Sequence, residues 1–256
     1  MEHILSAQGL QVLRNYMQQR PLLAFDFDGT LAPIVAKPAE ASIPSASLST
    51  LQQLSERCAV AILTGRSIRD AQSRLGFEPR GIVGQHGAES LVEGEYRVVG
   101  ASQALAGLRQ KIAEHADELR AAGVSVEDKQ QSFALHYRQA DDHPRARQCI
   151  ARLLQDLPAQ LQQSAGKCVV NIVAGDSPDK AGALSALLDR LQLATVIFLG
   201  DDENDEPVFR YAMTRSHCLS IKVGAHEASS AQYYLHDDSE VQTLLMHMLQ
   251  ALAPHA

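Results

Sequence analysis

Short apolar runs alternate with helix-like segments along the first ninety residues of this chain. Three continuous apolar runs have the length of buried strands, at residues 22–26, 59–63 and 81–84. Helical spacing of apolar residues instead marks 4–19, 48–57 and 67–75. We expect the first of these helices to cover one edge of a sheet, and Ser47 or Ser49 to cap the second. An alternation of strands and helices predicts a parallel sheet.

The pattern of apolar and polar residues changes in the middle of the chain. The pattern there predicts, in order, a hairpin at 90–99, a long helix at 103–121, two alternating strands at 124–128 and 133–138 joined by a turn at 129–132, a helix at 144–157 and a strand at 167–173. Short antiparallel strands with two helices are typical of a small α+β domain. We therefore expect such a domain to be inserted at 91–174.

The parallel pattern resumes after residue 176. The remaining predicted elements are a helix at 178–191, a strand at 195–199, a helix at 207–213, a strand at 218–223 and a C-terminal helix from 240. The predicted fold is therefore α/β, with a parallel-sheet core formed by 1–90 and 175–256 and an inserted α+β cap at 91–174.

Composition narrows the class of protein. The 256 residues, 45% of them hydrophobic, allow one large domain or a core with a smaller second domain. A formal net charge of −7 argues against nucleic acid as a partner. The four cysteines are scattered without a CxxC pair, which argues against a disulfide or zinc scaffold and favours a reducing compartment. Since neither a signal peptide nor a membrane span is recognisable, we expect a cytoplasmic protein. We also expect it to be a monomer that acts on a small molecule.

Two carboxylates follow the first predicted strand. Asp26 and Asp28 stand two residues apart, and Gly29 lets the chain turn sharply there. In open α/β sheets the ligand site lies beyond the carboxyl ends of the strands. Two adjacent negative charges are costly unless a cation lies between them or one of the carboxylates is protonated. A hard cation such as Mg²⁺ accepts carboxylates and suits phosphate substrates, and the sequence does not distinguish it from Mn²⁺.

Other polar groups supply further reagents for phosphoryl transfer. Thr64 offers a hydroxyl to a phosphate oxygen, and Lys180, at the start of a helix, would neutralise phosphate charge. The acidic run 201–206 contains Asp201, Asp202 and Asp205, which would form the second half of a Mg²⁺ site. Taken singly, each feature also fits a surface turn, a solvated loop or a surface lysine. Their joint occurrence favours the site.

The order D-x-D-G-T, T-G-R, Lys and G-D-D-x-x-D-E resembles the four motifs of the haloacid dehalogenase (HAD) superfamily of phosphatases. The resemblance implies a HAD-like Rossmannoid core. It also implies that Asp26 is the nucleophile that forms an aspartyl-phosphate, and that Asp28 is the general acid and base. Thr64 and Lys180 would complete the catalytic set. The implied Mg²⁺ ligands are Asp26, Asp28 (through its backbone carbonyl), Asp201, Asp202 and Asp205.

Within that superfamily the chain resembles the trehalose-6-phosphate phosphatases. The resemblance rests on DFDGTLAPI at 26–34, LTGR at 63–66, GQHGAE at 84–89, VEDKQQSFALHYR at 126–138, GKCVV at 166–170 and GDDENDE at 200–206. It implies hydrolysis of trehalose 6-phosphate in trehalose biosynthesis, with the cap gripping the sugar. The implied substrate-binding residues are Gly29, Thr30, Gly65, Arg66, His86, Glu127, Lys129, His136, Arg138, Lys167 and Asn171.

Four positions depart from the family pattern. Asn171 and Val173 stand where a sugar-holding glutamate and a basic residue are usual, and Ala181 and Asn204 replace a glycine and a threonine. An amide still hydrogen-bonds a hydroxyl, but without a charge. Two alternatives therefore stay open: the same chemistry on another sugar phosphate, and a non-catalytic phosphosugar-binding protein.

Overall fold

The computed structural model describes residues 1–98, 103–129, 132–175, 178–224 and 228–252. The strands, in chain order, are β1 (Glu2–His3), β2 (Leu22–Phe25), β3 (Val60–Leu63), β4 (Gly81–Gly84), β5 (Glu89–Val92), β6 (Glu95–Val98), β7 (Ser125–Asp128), β8 (Ser132–His136), β9 (Leu161–Gly166), β10 (Val169–Ala174), β11 (Val196–Gly200), β12 (Cys218–Val223) and β13 (Tyr233–Leu235). The helices are α1 (Ala7–Met17), α2 (Ser45–Ser55), α3 (Ile68–Leu75), α4 (Gln103–Glu114), α5 (Ala116–Ala121), α6 (His143–Leu153), α7 (Lys180–Leu191), α8 (Glu206–Met213) and α9 (Val241–Ala251).

The larger sheet confirms the predicted α/β fold. Its strand order is β1-β13-β12-β11-β2-β3-β4-β5-β6. The strands from β1 to β4 are parallel, and only the β5–β6 hairpin runs antiparallel. β2 lies between β11 and β3, so the loops that follow these three strands leave the same edge of the sheet. This edge is where a doubly wound sheet places its ligand site.

Alternate residues of the central strands pack into two apolar layers, one on each face of the sheet. Leu23 and Phe25 of β2 pack with α1, α2, α3 and α9 on one face, whereas Leu22 and Ala24 pack with α7 and α8 on the other. All four side chains are fully buried. Because both faces of β2 are covered, it reads as an unbroken apolar run rather than an alternating one.

The smaller sheet is antiparallel, in the order β7-β8-β10-β9. Together with α4, α5 and α6 it encloses a separate apolar core that includes Phe133, Leu135 and Ile172. The predicted hairpin at 90–99 pairs instead with β4 of the larger sheet, and its last residue, Val99, lies outside the described residues. The cap limits of 91 and 174 stay a prediction. Gln130 and Gln131 of the predicted 129–132 turn also lie outside the described residues.

Several predictions about helix position, capping and length were wrong. The N-terminal helix does not cover the sheet edge: the edge strand is β1, while α1 begins after its N-cap Ser6 and packs in a face layer. α2 starts at Ser45 after Pro44, which places Ser47 and Ser49 inside the helix rather than at its cap. The helix predicted at 103–121 is interrupted at His115. In the described part of the chain, no helix combines the length and the apolarity needed to span a bilayer.

Candidate active site

Asp26 lies at the carboxyl end of the central strand β2. Its backbone N–H continues the ladder to the carbonyl of Leu199, 2.9 Å away, and its side chain is 5% exposed. The chain then turns at Gly29, whose φ of 82° favours glycine. A β-carbon at Gly29 would collide with the Asp201 carboxylate. The glycine therefore allows the loop after β11 to approach the loop after β2.

Lys180 connects the two acidic segments. Its ammonium group donates to Asp26 Oδ1 at 3.0 Å and to Asp205 Oδ1 at 2.6 Å, and the residue is 3% exposed. Asp179 caps the N-terminus of α7 by accepting from the Gly182 N–H at 2.8 Å, which fixes the position of Lys180 in the first turn. Burial alone would lower the pKa of Lys180, but Asp205 and Asp26 outweigh it and raise the pKa above its ordinary value. The lysine is therefore a fixed positive charge.

Asp205 organises the loop that follows β11. It is fully buried, and its Oδ2 accepts the backbone N–H groups of Asp201 at 2.9 Å and Asp202 at 3.0 Å. Lys222, on β12, donates to the backbone carbonyl of Asp201 at 2.7 Å. These bonds hold the loop so that the Asp201 carboxylate points toward Asp26.

Three carboxylates converge at this point and fit a divalent cation. Asp26, Asp201 and Asp205 each bring an oxygen to within 4.8 Å of the others. Burial raises the pKa of Asp26 well above its ordinary value; Lys180 opposes this shift, and Asp205 and Asp201 add to it. Asp201 Oδ1 is buried without a hydrogen-bond partner among the described residues. An oxygen-only donor set with an unpaired buried oxygen suits a hard cation.

Lys167 reaches the same cluster from the smaller sheet. Its ammonium group pairs with Asp201 Oδ2 across the cleft. Burial would lower the pKa of Lys167, yet Asp201 outweighs it and raises the pKa. Of the other two predicted ligands, Asp28 and Asp202 line the cleft, but their side chains lie outside the three-carboxylate cluster.

Asp28 is held by Arg66. The guanidinium group donates to both oxygens of Asp28 at 2.7 Å, to Asp70 Oδ2 at 2.6 Å and to the carbonyl of Pro38 at 2.9 Å. It also lies over the ring of Phe27, 5.2 Å from the centroid. This planar, two-pronged contact gives Asp28 a defined orientation toward the cleft.

The loop after β3 contacts the loop after β4. Thr64 accepts the Arg66 N–H at its Oγ1 at 3.1 Å and is 1% exposed, so its hydroxyl supports the turn in this state. Thr30 is also buried, with a hydroxyl that has no hydrogen-bond partner in the described ranges. A β-carbon at Gly65 would lie 2.5 Å from His86 Cε1, so glycine is required for the imidazole to pack there.

His86 is a neutral imidazole in the cleft wall. Its backbone is left-handed, with φ 59°. Burial, with help from the charges of Lys180 and Lys129, lowers the pKa of His86 to about 3, although the Asn171 side chain hydrogen-bonds to the ring and opposes the shift. Asn171 itself is 5% exposed. The two side chains form a polar, uncharged part of the wall.

The remaining predicted residues come from the smaller sheet. Lys129 donates to the backbone carbonyl of Gly65 at 2.6 Å, and Glu127 lies 3.0 Å from His136 Nε2 and 3.8 Å from Lys129 Nζ. Arg138 donates to the carbonyls of Val35 and Lys167 at 3.3 and 3.1 Å. All of them line a cleft of about 450 Å³ that also contains Asp26, Asp28 and Lys180. The cleft is thus built jointly by the two sheets.

Three contributors were not assigned roles from the sequence. Gln85 donates to the carbonyl of Lys129 at 3.0 Å and accepts from the Ser132 hydroxyl at 2.6 Å, which joins the two sheets. Asp70 holds Arg66, and Lys222 holds the Asp201 loop. Asp70 has a helical i,i+4 spacing to Arg74 within α3, but Arg66 precedes that helix and its contact with Asp70 had no such signal. Lys222 follows a plain strand pattern and gave no signal.

The chain is similar to a known protein family along most of its length. The trehalose-phosphatase family model matches residues 24–239. A trehalose-phosphate phosphatase of Mycobacterium bovis is 32% identical over 210 residues, which are 79% of this chain and 54% of that protein. An uncharacterized glycosyl hydrolase of Mycobacterium tuberculosis is 32% identical over 209 residues, 78% of this chain and 16% of that protein. The chain thus spans about half the length of the first and a smaller share of the second.

Solved structures share the fold. The C-terminal domain of a Candida albicans trehalose-6-phosphate phosphatase superposes with a TM-score of 0.81 at 21% identity, covering 94% of this chain and 96% of that one. The chain therefore has the HAD-like α/β fold of that domain. The chain belongs to the trehalose-phosphatase family.

Proposed function

We propose that this chain hydrolyses trehalose 6-phosphate to trehalose and phosphate, as a step of trehalose biosynthesis. The observation that carries the proposal is the placement of buried Asp26 between Lys180 and the acidic loop, on the floor of a cleft roofed by polar side chains of the smaller sheet. Family membership and the name of the Mycobacterium bovis relative support the choice of substrate.

In the proposed reaction, a carboxylate oxygen of Asp26 attacks phosphorus, and the bond from phosphorus to the sugar oxygen breaks. Asp28 donates its proton to that leaving oxygen. Water then attacks the aspartyl-phosphate while Asp28 takes its proton, which releases phosphate and restores Asp26. Lys180 offsets the charge of the transferring group, and Thr64 would offer its hydroxyl to a phosphate oxygen.

A divalent cation, Mg²⁺ in this proposal, would be held by Asp26, Asp201 and Asp205, with the Asp28 carbonyl and Asp202 as further ligands, and would neutralise phosphate charge when bound. Asp28 carries both proton transfers but is held at both oxygens by Arg66. It must therefore give up part of that contact before it can protonate the leaving oxygen.

We assign sugar recognition to the cleft wall and to the cleft roof, which consists of the side chains of Glu127, Lys129, His136 and Arg138. Glu127 hydrogen-bonds to His136 and forms an ion pair with Lys129, so the three side chains offer charged donors and acceptors to hydroxyls. The other proposed contacts are Gly29, Thr30, Gly65, Arg66, His86, Arg138, Lys167 and Asn171. Such a fixed array rejects substrates that leave its groups unpaired.

Phosphate release from a panel of phosphorylated mono- and disaccharides, with Mg²⁺ and with chelator, tests the proposal. We expect trehalose 6-phosphate to react far faster than glucose 6-phosphate, and chelator to stop the reaction. Asn171 favours a second candidate, because it places an uncharged amide where the family has a glutamate; metal-dependent release that is fastest on another sugar would select it. Binding of phosphosugars without any release would instead indicate a non-catalytic protein.

The proposal also covers the cellular location, the oligomeric state and the partners of the chain. We infer that the chain acts in the cytoplasm as a monomer on a small-molecule substrate, without nucleic acid or membrane as a partner. The net charge of −7 supports the exclusion of nucleic acid. Light scattering at several protein concentrations tests the monomer, and a concentration-dependent mass would contradict it.

A further inference from the structure

A second cluster of metal-binding side chains lies at the β1 edge of the larger sheet. His3, His236 and Glu240 each bring a potential ligand atom to within 4.8 Å of the others. Their origins are far apart in sequence: β1, the residue after β13, and the residue before α9. None of them belongs to the lining of the cleft described above.

The sheet register creates this cluster. His3 is the direct partner of Tyr234 across the parallel β1–β13 pair, so their side chains share a face. His236 lies two residues after Tyr234 and emerges on the same face. The His3 and His236 rings are 4.6 Å apart between centroids, and each lies beside the Tyr234 ring, at 5.4 and 5.3 Å.

Glu240 is the third member of the cluster and contacts both histidines. Its Oε2 is 2.9 Å from His3 Nε2 and accepts the backbone N–H of His236 at 2.7 Å. The side chains of His3 and Glu240 are each 25% exposed, and His236 is exposed. The carboxylate is thus fixed by the turn, while the imidazoles stay accessible to an ion from solvent.

We propose that His3, His236 and Glu240 bind a divalent transition-metal ion of the Zn²⁺ type. Two imidazole nitrogens and one carboxylate oxygen are a donor set that suits Zn²⁺, and ligand atoms within 4.8 Å reach tetrahedral spacing by side-chain adjustment. Hard Mg²⁺ prefers oxygen ligands, so it belongs to the three-carboxylate cluster and not here.

Such an ion would join the first strand to the last strand and the last helix. β1 is a two-residue edge strand, and its described backbone pairing is with β13 alone. It is four strand positions from β2, about 19 Å across the sheet. The ion would therefore stabilise the edge of the fold without touching the cleft, and the inference does not depend on the proposed function.

The test uses the full chain without an added histidine tag, stripped with chelator and returned to buffer containing Mg²⁺. Calorimetric titration with Zn²⁺ and visible absorption with Co²⁺ measure binding. We expect one ion per chain, and His236→Gln or Glu240→Gln to weaken binding by about tenfold or more. His247→Gln, on α9 outside the cluster, is the matched control and should bind as the wild type does.

The thermal midpoint gives an independent readout. Zn²⁺ should raise it for the wild type and for His247→Gln, and should raise it less for His236→Gln. Circular dichroism checks that each variant is folded before titration. Zn²⁺ affinity that is unchanged by both His236→Gln and Glu240→Gln would overturn the proposal, and so would a wild-type chain that binds neither Zn²⁺ nor Co²⁺ under these conditions.

Discussion

The ammonium group of Lys129 donates to the backbone carbonyl of Gly65 at 2.6 Å, and so links the smaller sheet to the loop that follows β3. Burial lowers the pKa of Lys129, while Glu127 opposes the shift. Together with the Gln85 contacts, this bond holds the smaller sheet over the loop that follows β3. We therefore expect substitutions of Lys129 to change substrate binding.

Replacing Lys129 with methionine removes the donor but keeps the side-chain length. We expect KM for trehalose 6-phosphate to rise by about tenfold or more, because a buried charged hydrogen bond is lost. Steady-state kinetics measure the effect. Lys111→Met, on α4 and away from the cleft, is the control and should leave KM unchanged. Equal KM in the two variants would show that the Lys129–Gly65 bond does not position the roof.

Asp26→Asn should abolish turnover and preserve the fold. An amide cannot form the acyl-phosphate, so we expect kcat to fall by about a thousandfold or more. The folded chain raises the pKa of Asp26, which means that its charge is costly at neutral pH. The variant should therefore unfold at the same temperature as the wild type or higher in metal-free buffer. Exposed Asp141→Asn serves as the control for both readouts.

Arg66→Lys tests whether Asp28 needs its two-pronged partner. A lysine keeps the charge but cannot hold both oxygens of Asp28 together with Asp70. We expect kcat/KM to fall by about tenfold to a hundredfold. Arg74 also binds Asp70 but does not touch Asp28, so Arg74→Lys should retain activity. A similar loss in both variants would assign the effect to Asp70 and α3 rather than to Asp28.

His86 should stay neutral over the range in which histidines normally titrate. Burial lowers its pKa to about 3, so its ring signals in an NMR titration should show no inflection between pH 8 and about 5. The unfolded chain binds this proton near the ordinary pKa of about 6.5. Lowering the pH from there toward 3 therefore favours unfolding. His86→Asn should weaken that dependence, and a normal inflection near 6.5 would contradict a buried neutral ring.

The sequence indicated which carboxylates lie together at the candidate site better than it indicated their contacts. Asp26, Asp201 and Asp205 follow strands that had to end at one edge, so their convergence follows from topology. The pairing of Asp28 with Arg66, and the bridge made by Gln85, depend on rotamers and loop paths that no periodicity encodes. They appear only once the loops are folded against each other.

The misjudged elements share a physical reason. β9 has the sequence LQQSAG, which lacks a strand pattern because this edge strand buries only Leu161, and it forms by pairing with β10. β1 is too short to be recognised from two residues. The predicted helix at 103–121 has continuous helical spacing, yet it is interrupted at His115, and residues of both resulting helices pack in the small core. Tertiary packing decided each of these.

The ion pair between Asp26 and Lys180 joins positions 154 residues apart, on either side of the smaller sheet. During synthesis, Asp26 leaves the ribosome long before Lys180 and Asp205 exist. The emerging N-terminal part therefore holds an acidic strand end without its lysine partner until the whole cap has been made. The proposed active site is thus completed late in the synthesis of each chain, when β11 pairs with β2.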